Sequence, residues 1–228
     1  MKKEKSIVIA KSVIDLEITA LKKLKKTINR SFTEAVKAIV KCQSKIILCG
    51  VGKSFLIASK ISSTLSSVGS PSFALPANEC SHGDLGSISK KDVLILISNS
   101  GNTEELKPVI QFANRNKITL IGIVSKKNSI LYNAADIKLV MPEVKESGHG
   151  IVPTSSTTCQ LALGDALAIA SMEYKKFGKL DFKKFHPEGA LGNKLKTVDD
   201  LMIIKNEIPF INENCNVEKG LEIINSKK

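Results

Sequence analysis

Apolar and polar positions follow two textures along this chain. Between residues 5 and 43, Val8, Ile9, Val13, Leu16, Ile18, Leu21 and Leu24 recur near helical spacing, and "RSFTEAVKAIVK" opens a second helix. Ser31 is the expected N-cap of that helix, with Glu34 three residues on as a capping box. From residue 45, short apolar runs alternate with amphipathic stretches. "KIILCG", "PSFALPA", "DVLILI", "ITLIGIV" and "IKLVMPE" read as strands, each leaving into small or polar residues. "FLIASKISSTLSSVG", "TEELKPVIQFANRNK" and "SSTTCQLALGDALAIASMEYKKFG" read as helices, the first closed by Gly69 and the last by Gly178. Pro108 falls in the first turn of the second, where a missing N–H is tolerated. Continuous apolar strands alternating with helices predict a doubly wound α/β domain, a parallel sheet with helices on both faces. Ligands in such sheets bind beyond the carboxyl ends of the strands, where the polar exits lie. Residues 197–228 hold a short helix, a strand-like "IPFI" and another helix, too little to bury a core of their own.

Three exits carry candidate chemistry. "GVGKS" (50–54) is a Gly-rich strand-to-helix turn. It is no P-loop, because Ile47 stands where the first glycine belongs, and no dinucleotide fingerprint, because Phe55 takes the third glycine's place. Gly50 and Gly52 serve a tight turn or let backbone approach a ligand beside Lys53 and Ser54. In "SNSGNTEEL" (98–106), Ser98, Ser100 and Thr103 set hydroxyls around a helix N-terminus, where unpaired N–H groups and the dipole favour an anion. Capping alone would use one of them. "PTSSTT" (153–158) repeats the theme, with Ser155 and Ser156 expected in the same cleft. Glu105, Glu146, His82, His149 and His186 are the acid–base candidates. His82 and His186 lie in the glycine-framed loops "HGDLG" and "HPEGALG".

Composition narrows the classes. Hydrophobic residues make up 43% of the 228, aromatics only 4%, and Trp is absent, so the core is aliphatic. No apolar run is long enough to span a bilayer, and Lys11 and Asp15 interrupt the N-terminal apolar stretch too early for a signal peptide. A cytoplasmic protein without membrane contact is expected. The five cysteines, Cys42, Cys49, Cys80, Cys159 and Cys215, are widely spaced and form no CxxC pair, which argues against a disulfide framework or structural zinc. Cys49 and Cys159 read as buried small hydrophobes. No metal or other cofactor is implied. The net charge of +12 is spread along the chain with few aromatics to stack bases, so it favours an anionic small molecule over nucleic acid.

The ordered set "GVGKS", "NECSHGDLG", "ISNSGNTEEL", "PTSSTT…GDALA" and "FHPEGALG" resembles the sugar isomerase (SIS) domain, and more narrowly the D-arabinose 5-phosphate isomerases. The likeness runs from about residue 35 to 196. It implies a SIS, flavodoxin-like domain over 1–196 with N-terminal helices at 5–43. Residues 197–228 are similar to the start of a first CBS domain. The resemblance further implies reversible conversion of D-ribulose 5-phosphate to D-arabinose 5-phosphate, toward the lipopolysaccharide sugar Kdo, in a homotetramer. Lys53, Glu105, Glu146 and His186 fall where the family has its active-site residues, and His82 lies in a neighbouring loop. Ser98, Ser100 and Thr103 fall where it holds the phosphate. Two departures bear on substrate preference: Glu188 replaces a usual glycine, and His149 stands where other members differ. Aldose–ketose exchange needs a base at carbon, an acid at oxygen and a partner for negative charge. Glu146 or His186 is expected as the base, the other assisting; Glu105 is an alternative that the sequence does not rank. Lys53 would stabilise the enediolate or hold phosphate. Two other readings compete. A non-catalytic sugar-phosphate sensor could dispense with Glu105, Glu146 and His186, and an isomerase of another phosphosugar would differ in pocket shape.

Overall fold

A computed structural model describes residues 2–186, 196–204 and 207–227. The chain divides into two compact units, Met1–Phe182 and Lys183–Lys228.

The first unit opens with α1 (Lys2–Thr27) and α2 (Arg30–Lys41). Five strands follow: β1 (Ile46–Gly50), β2 (Ser72–Pro76), β3 (Val93–Ile97), β4 (Thr119–Val124) and β5 (Ile137–Val140). Between and after them lie α3 (Lys53–Ser67), α4 (Ala77–Cys80), α5 (Lys107–Asn116), α6 (Ile130–Ala134) and α7 (Ser155–Tyr174), and α8 (Lys179–Phe185) begins in this unit and ends in the second. All four strand pairings are parallel, in the order β2-β1-β3-β4-β5. This is the doubly wound layout expected, with its topological switch point between β1 and β3.

Strand side chains point alternately to the two faces, and the core divides accordingly. Ile46, Leu48, Val93, Ile95, Ile97, Ile121 and Ile123 join one cluster with α1, α2, α3 and α7. Ile47, Cys49, Leu94, Leu96 and Leu120 join the other with α4, α5 and α6. Burial on both faces is why these strands read as unbroken apolar runs. Cys49 and Cys159 are buried, as their apolar surroundings suggested.

Several local expectations change. The cap of α2 is Asn29, whose Oδ1 accepts the Ser31 N–H at 2.9 Å, so Ser31 lies inside the helix. Glu34 pairs with Arg30 at 3.2 Å instead of closing a capping box. The helix expected from Thr103 begins as a 3-10 turn, Glu104–Leu106, and becomes α-helical only at α5, with Pro108 in its first turn. The long α7 ends at Tyr174, before Gly178. Helix α1 packs on α7 and buries Ala20 and Leu24, while Ile7, Val8, Ile14 and Ile18 remain exposed.

In the second unit, Val198–Leu201 and Val217–Ser226 are helical, here α9 and α10. Asn216 caps α10 by accepting the Lys219 N–H at 3.0 Å. "IPFI" forms no strand: Pro209 lacks a donor, and no partner strand lies among the described residues of that unit. Gly220 is the only buried residue described there.

Helices α3 and α7 run side by side in the same direction. Ser54 Oγ meets Gln160 Oε1 at 3.4 Å near their starts, Lys60 pairs with Asp165 midway, and the Lys175 ammonium donates to the Gly69 carbonyl at 2.9 Å near their ends. Gly164 permits this approach, since a Cβ there would overlap the Ile61 side chain. Replacing Gly164 by Ala gains about 1 kcal/mol of helix propensity. The overlap costs about 1–3 kcal/mol and wins. Gly164→Ala should therefore lower the urea midpoint. Ile61→Val, which trims the overlapping methyl, should restore part of the loss. Additive effects in the double variant would disprove this packing constraint.

Candidate active site

Parallel pairing brings every strand's carboxyl end to one edge. Cys49 is level with Leu96, and Gly50 with Pro76. The loops after β1, β2 and β3 therefore leave together. Gly50 and Gly52 are glycines for different reasons. A Cβ on Gly50 would press on the backbone of Ser54 and Phe55 at 2.9–3.0 Å, while Gly52 has φ +56 and nothing near it. Gly52 is the N-cap of α3, and no side chain caps that helix. The Ser54 and Phe55 N–H groups turn back to the Val51 and Gly52 carbonyls at 3.2 and 3.1 Å, so the positive end of the helix dipole and the exposed Lys53 make an electropositive mouth beside the β3 exit.

The "SNSGNT" loop is held rigidly. Ser98 is buried; its Oγ accepts the Gly101 N–H at 2.9 Å and shares a hydrogen bond with Thr103 Oγ1 at 2.8 Å. Ser98 therefore shapes the loop, while Ser100 lies exposed and Thr103 half-buried. Ser100 Oγ accepts the Asn102 N–H at 3.3 Å. The chain after β4 pins the loop from behind. Ser125 Oγ donates to Asn99, Ile130 N–H to Asn102 Oδ1 at 2.9 Å, and Leu131 N–H to the Gly101 carbonyl at 3.0 Å. Gly101 has φ +69, and a Cβ on it would strike Ser129. Ser125, Ser129 and Asn99 are not singled out in the sequence, and Asn102, there a candidate helix cap, instead accepts from the chain after β4. The polar "SKKNS" directly after an apolar strand was the available signal.

Glu146 lies between β5 and α7 and holds the start of α7. Its Oε2 accepts the Thr154 N–H at 2.8 Å and the Thr154 hydroxyl at 3.2 Å, and both oxygens receive the Ser156 N–H at 3.3 Å. Burial pushes this carboxyl up, but the hydrogen bonds from Ser156 and Thr154 outweigh it and hold it below the ordinary carboxylate value. Glu146 is therefore ionised at neutral pH. Because α3 and α7 run together, Glu146 belongs to the same edge as the α3 N-terminus. Ser155 and Ser156, expected to face the cleft, are buried in the first turn of α7, and the Ser155 hydroxyl has no hydrogen-bond partner there.

Glu105 is exposed in the 3-10 turn that follows the hydroxyl loop, and that turn packs on α4. His82 is exposed in the turn after α4, its N–H donating to Glu79 O at 2.9 Å. The two candidates are thus brought to neighbouring turns. His149 is exposed at φ 63 between Gly148 and Gly150, in a turn closed by the Ser147–Val152 bridge. His186 belongs to the second unit, its N–H donating to Lys183 O at 3.1 Å. The remainder of "HPEGALG", including Glu188, lies outside the described residues.

A helix N-terminus without a side-chain cap, a braced hydroxyl loop and an ionised carboxylate thus lie at the switch point of a 2-1-3-4-5 parallel sheet, the α/β layout expected of a sugar-isomerase domain. The chain belongs to the SIS-domain family, whose model matches residues 39–170. It is 37% identical over 221 residues to uncharacterized protein RP505 of Rickettsia prowazekii, covering 97% of this chain and 69% of that one. It is 39% identical over 219 residues to arabinose 5-phosphate isomerase KdsD of Yersinia pestis, covering 95% and 67%. Among solved structures, E. coli CFT073 c3406 in complex with arabinose 5-phosphate superposes with TM-score 0.79 at 36% identity, over 82% of this chain and 100% of that one. This chain thus spans about two thirds of the length of these curated relatives. By its kin, it stands among the aldose–ketose isomerases.

The capping role of Glu146 sets a pH dependence. Its folded value lies below its unfolded one, so its stabilisation is complete above the unfolded pKa, near 4.3, and fades as pH falls through the folded value. Asp92 behaves alike: burial raises its pKa, but hydrogen bonds from Ser89, Ser44 and Lys45 lower it further. Urea midpoints taken from about pH 6 down to about pH 3 should fall in the wild type, and less steeply in Glu146→Gln. Identical slopes would show that Glu146 is not held as described.

Proposed function

We propose that this chain interconverts D-ribulose 5-phosphate and D-arabinose 5-phosphate through an enediol, a reaction that supplies Kdo for lipopolysaccharide in the cytoplasm. The observation that carries this reading is the convergence at one sheet edge of an uncapped helix N-terminus, a hydroxyl loop and a carboxylate held ionised. The names of its relatives supply the sugar.

The phosphate sits between the first turn of α3 and the loop of Ser100 and Thr103, with Ser98 fixing that loop's shape and Gly50 and Gly52 giving the backbone room. Lys53 faces the negative charge that develops on the enediolate oxygens. Glu146 is the base that moves the proton between C1 and C2. Four hydrogen bonds make it weakly basic in the free protein. A substrate hydroxyl that takes over the Thr154 Oγ–H frees a lone pair and raises its basicity toward what C–H abstraction needs. Glu105, exposed beside the loop, exchanges protons with the substrate oxygens. His82 and His186 enter this reading through the family resemblance, as does the similarity of residues 197–228 to a CBS start. The exposed apolar residues of α1, Ile7, Ile14 and Ile18 among them, support assembly into a homotetramer.

The test is to incubate the protein with D-ribulose 5-phosphate, with and without EDTA, and follow anomeric proton signals by NMR. Arabinose 5-phosphate should appear and survive EDTA. Glu146→Gln should lower turnover by about 10²–10⁴. Its thermal midpoint must be recorded beside the rate, because Gln cannot accept all the donors that the carboxylate holds and a modest stability loss is expected. Lys53→Met should lower turnover about 10²-fold with little change in stability. No conversion of this sugar, with wild-type folding, would overturn the assignment and direct a panel of other phosphosugars.

A further inference from the structure

A second basic feature lies apart from the α3 mouth, within the first unit. Beyond the ends of β4 and β5 is an open cleft of about 870 Å³, lined among others by Lys26, Lys126, Lys127, Lys138, Tyr132 and Glu143. That volume suits a metabolite, not a lone ion. The lysines come from three separate places: the last turn of α1, the turn after β4 and strand β5. Four lysines share this lining with one carboxylate, that of Glu143, which pairs with Lys126 at 2.8 Å. Lys138 is half-buried with its ammonium over the Tyr132 ring, 5.4 Å from the centroid. None of Lys26, Lys127 and Lys138 has an acidic partner among the described residues.

The bland account is a solvated lysine surface. Lys26 by itself is explained so, because a cation in a helix's last turn complements the dipole. It does not explain Lys138, which is half-buried with its ammonium over a ring, in a lining that holds three other lysines. Like charges gathered around a concavity repel one another and focus a positive potential into it. An anion in the cleft would relieve that repulsion.

We propose that this cleft is a second anion site, distinct from the hydroxyl loop, that takes a small organic diphosphate. The charge match selects that class: about three uncompensated positive charges suit a diphosphate better than a single phosphoryl group of about −1.5 to −2. The half-buried Val140 in the same lining suits the organic part. Ser125 makes the two sites separate. It lines the cleft, yet its hydroxyl is turned to the Asn99 carbonyl and side chain at 2.6 Å, so it forms the wall between cleft and loop.

Pyrophosphate titrated into the full chain by calorimetry, at physiological salt, tests this. One saturable event should persist in Thr103→Val, which alters the hydroxyl loop, with affinity within about twofold of wild type. It should weaken at least about tenfold in the double variant Lys26→Glu/Lys127→Glu. Thermal midpoints of both variants establish that each is folded. If the double variant melts early, Lys127→Gln alone replaces it, with about threefold weakening expected. Unchanged binding in the folded lysine variant overturns the proposal, as does loss of all binding in Thr103→Val or the absence of saturable binding in the wild type. The readout does not use isomerase activity, so it stands or falls independently of the substrate assigned above.

Discussion

Because β1 pairs with β3 in parallel, with Cys49 level with Leu96, the Gly-rich turn and the hydroxyl loop must leave the sheet side by side. All else at the edge depends on that pairing. Were β3 to slip by one residue, Ile95 and Ile97 would trade faces with Leu94 and Leu96, and both core clusters would lose their order. The register is thus held by the aliphatic core, and the core in turn fixes where Gly50 and Ser98 stand. Catalytic geometry here is a consequence of hydrophobic packing several residues away.

The two helices that border the edge do different work because their N-termini are filled differently. Glu146 occupies the start of α7 and gives up part of its basicity in doing so. The start of α3 has only Gly52 as its cap, with no side chain over the positive end of its dipole. One N-terminus positions a carboxylate while the other remains available to an anion. The close α3–α7 approach at Gly164 holds the two at a fixed spacing, so substitutions remote from the edge reach the site through helix packing.

Much of this was legible in the chain. Apolar runs such as "DVLILI" and "ITLIGIV" announced buried parallel strands, since each is covered on both faces. The hydroxyl loop was visible because three side chains exceed what a cap requires. Individual roles were less legible, because they depend on partners distant in sequence. That Ser98 is spent inside its loop depends on where Gly101 and Thr103 turn. That Ser155 and Ser156 are buried depends on how α7 meets the sheet. Asn29 took the cap expected of Ser31 because an Asx side chain two residues earlier already accepts the Ser31 amide, the second of the helix. Ser125 and Ser129 escaped notice for the same reason: from another strand's exit, Ser125 braces Asn99 and Ser129 caps α6 while packing against Gly101.

The central claim is that the edge shared by β1, β3 and α7 is where a phosphosugar binds. Backbone amide NMR during titration with D-arabinose 5-phosphate tests it most directly. Saturable shifts concentrated at Gly52–Ser54 and Ser100–Thr103, with smaller ones at Thr154–Ser156, are the predicted result. Saturable shifts confined to other parts of the chain, or none at millimolar sugar phosphate, would contradict it.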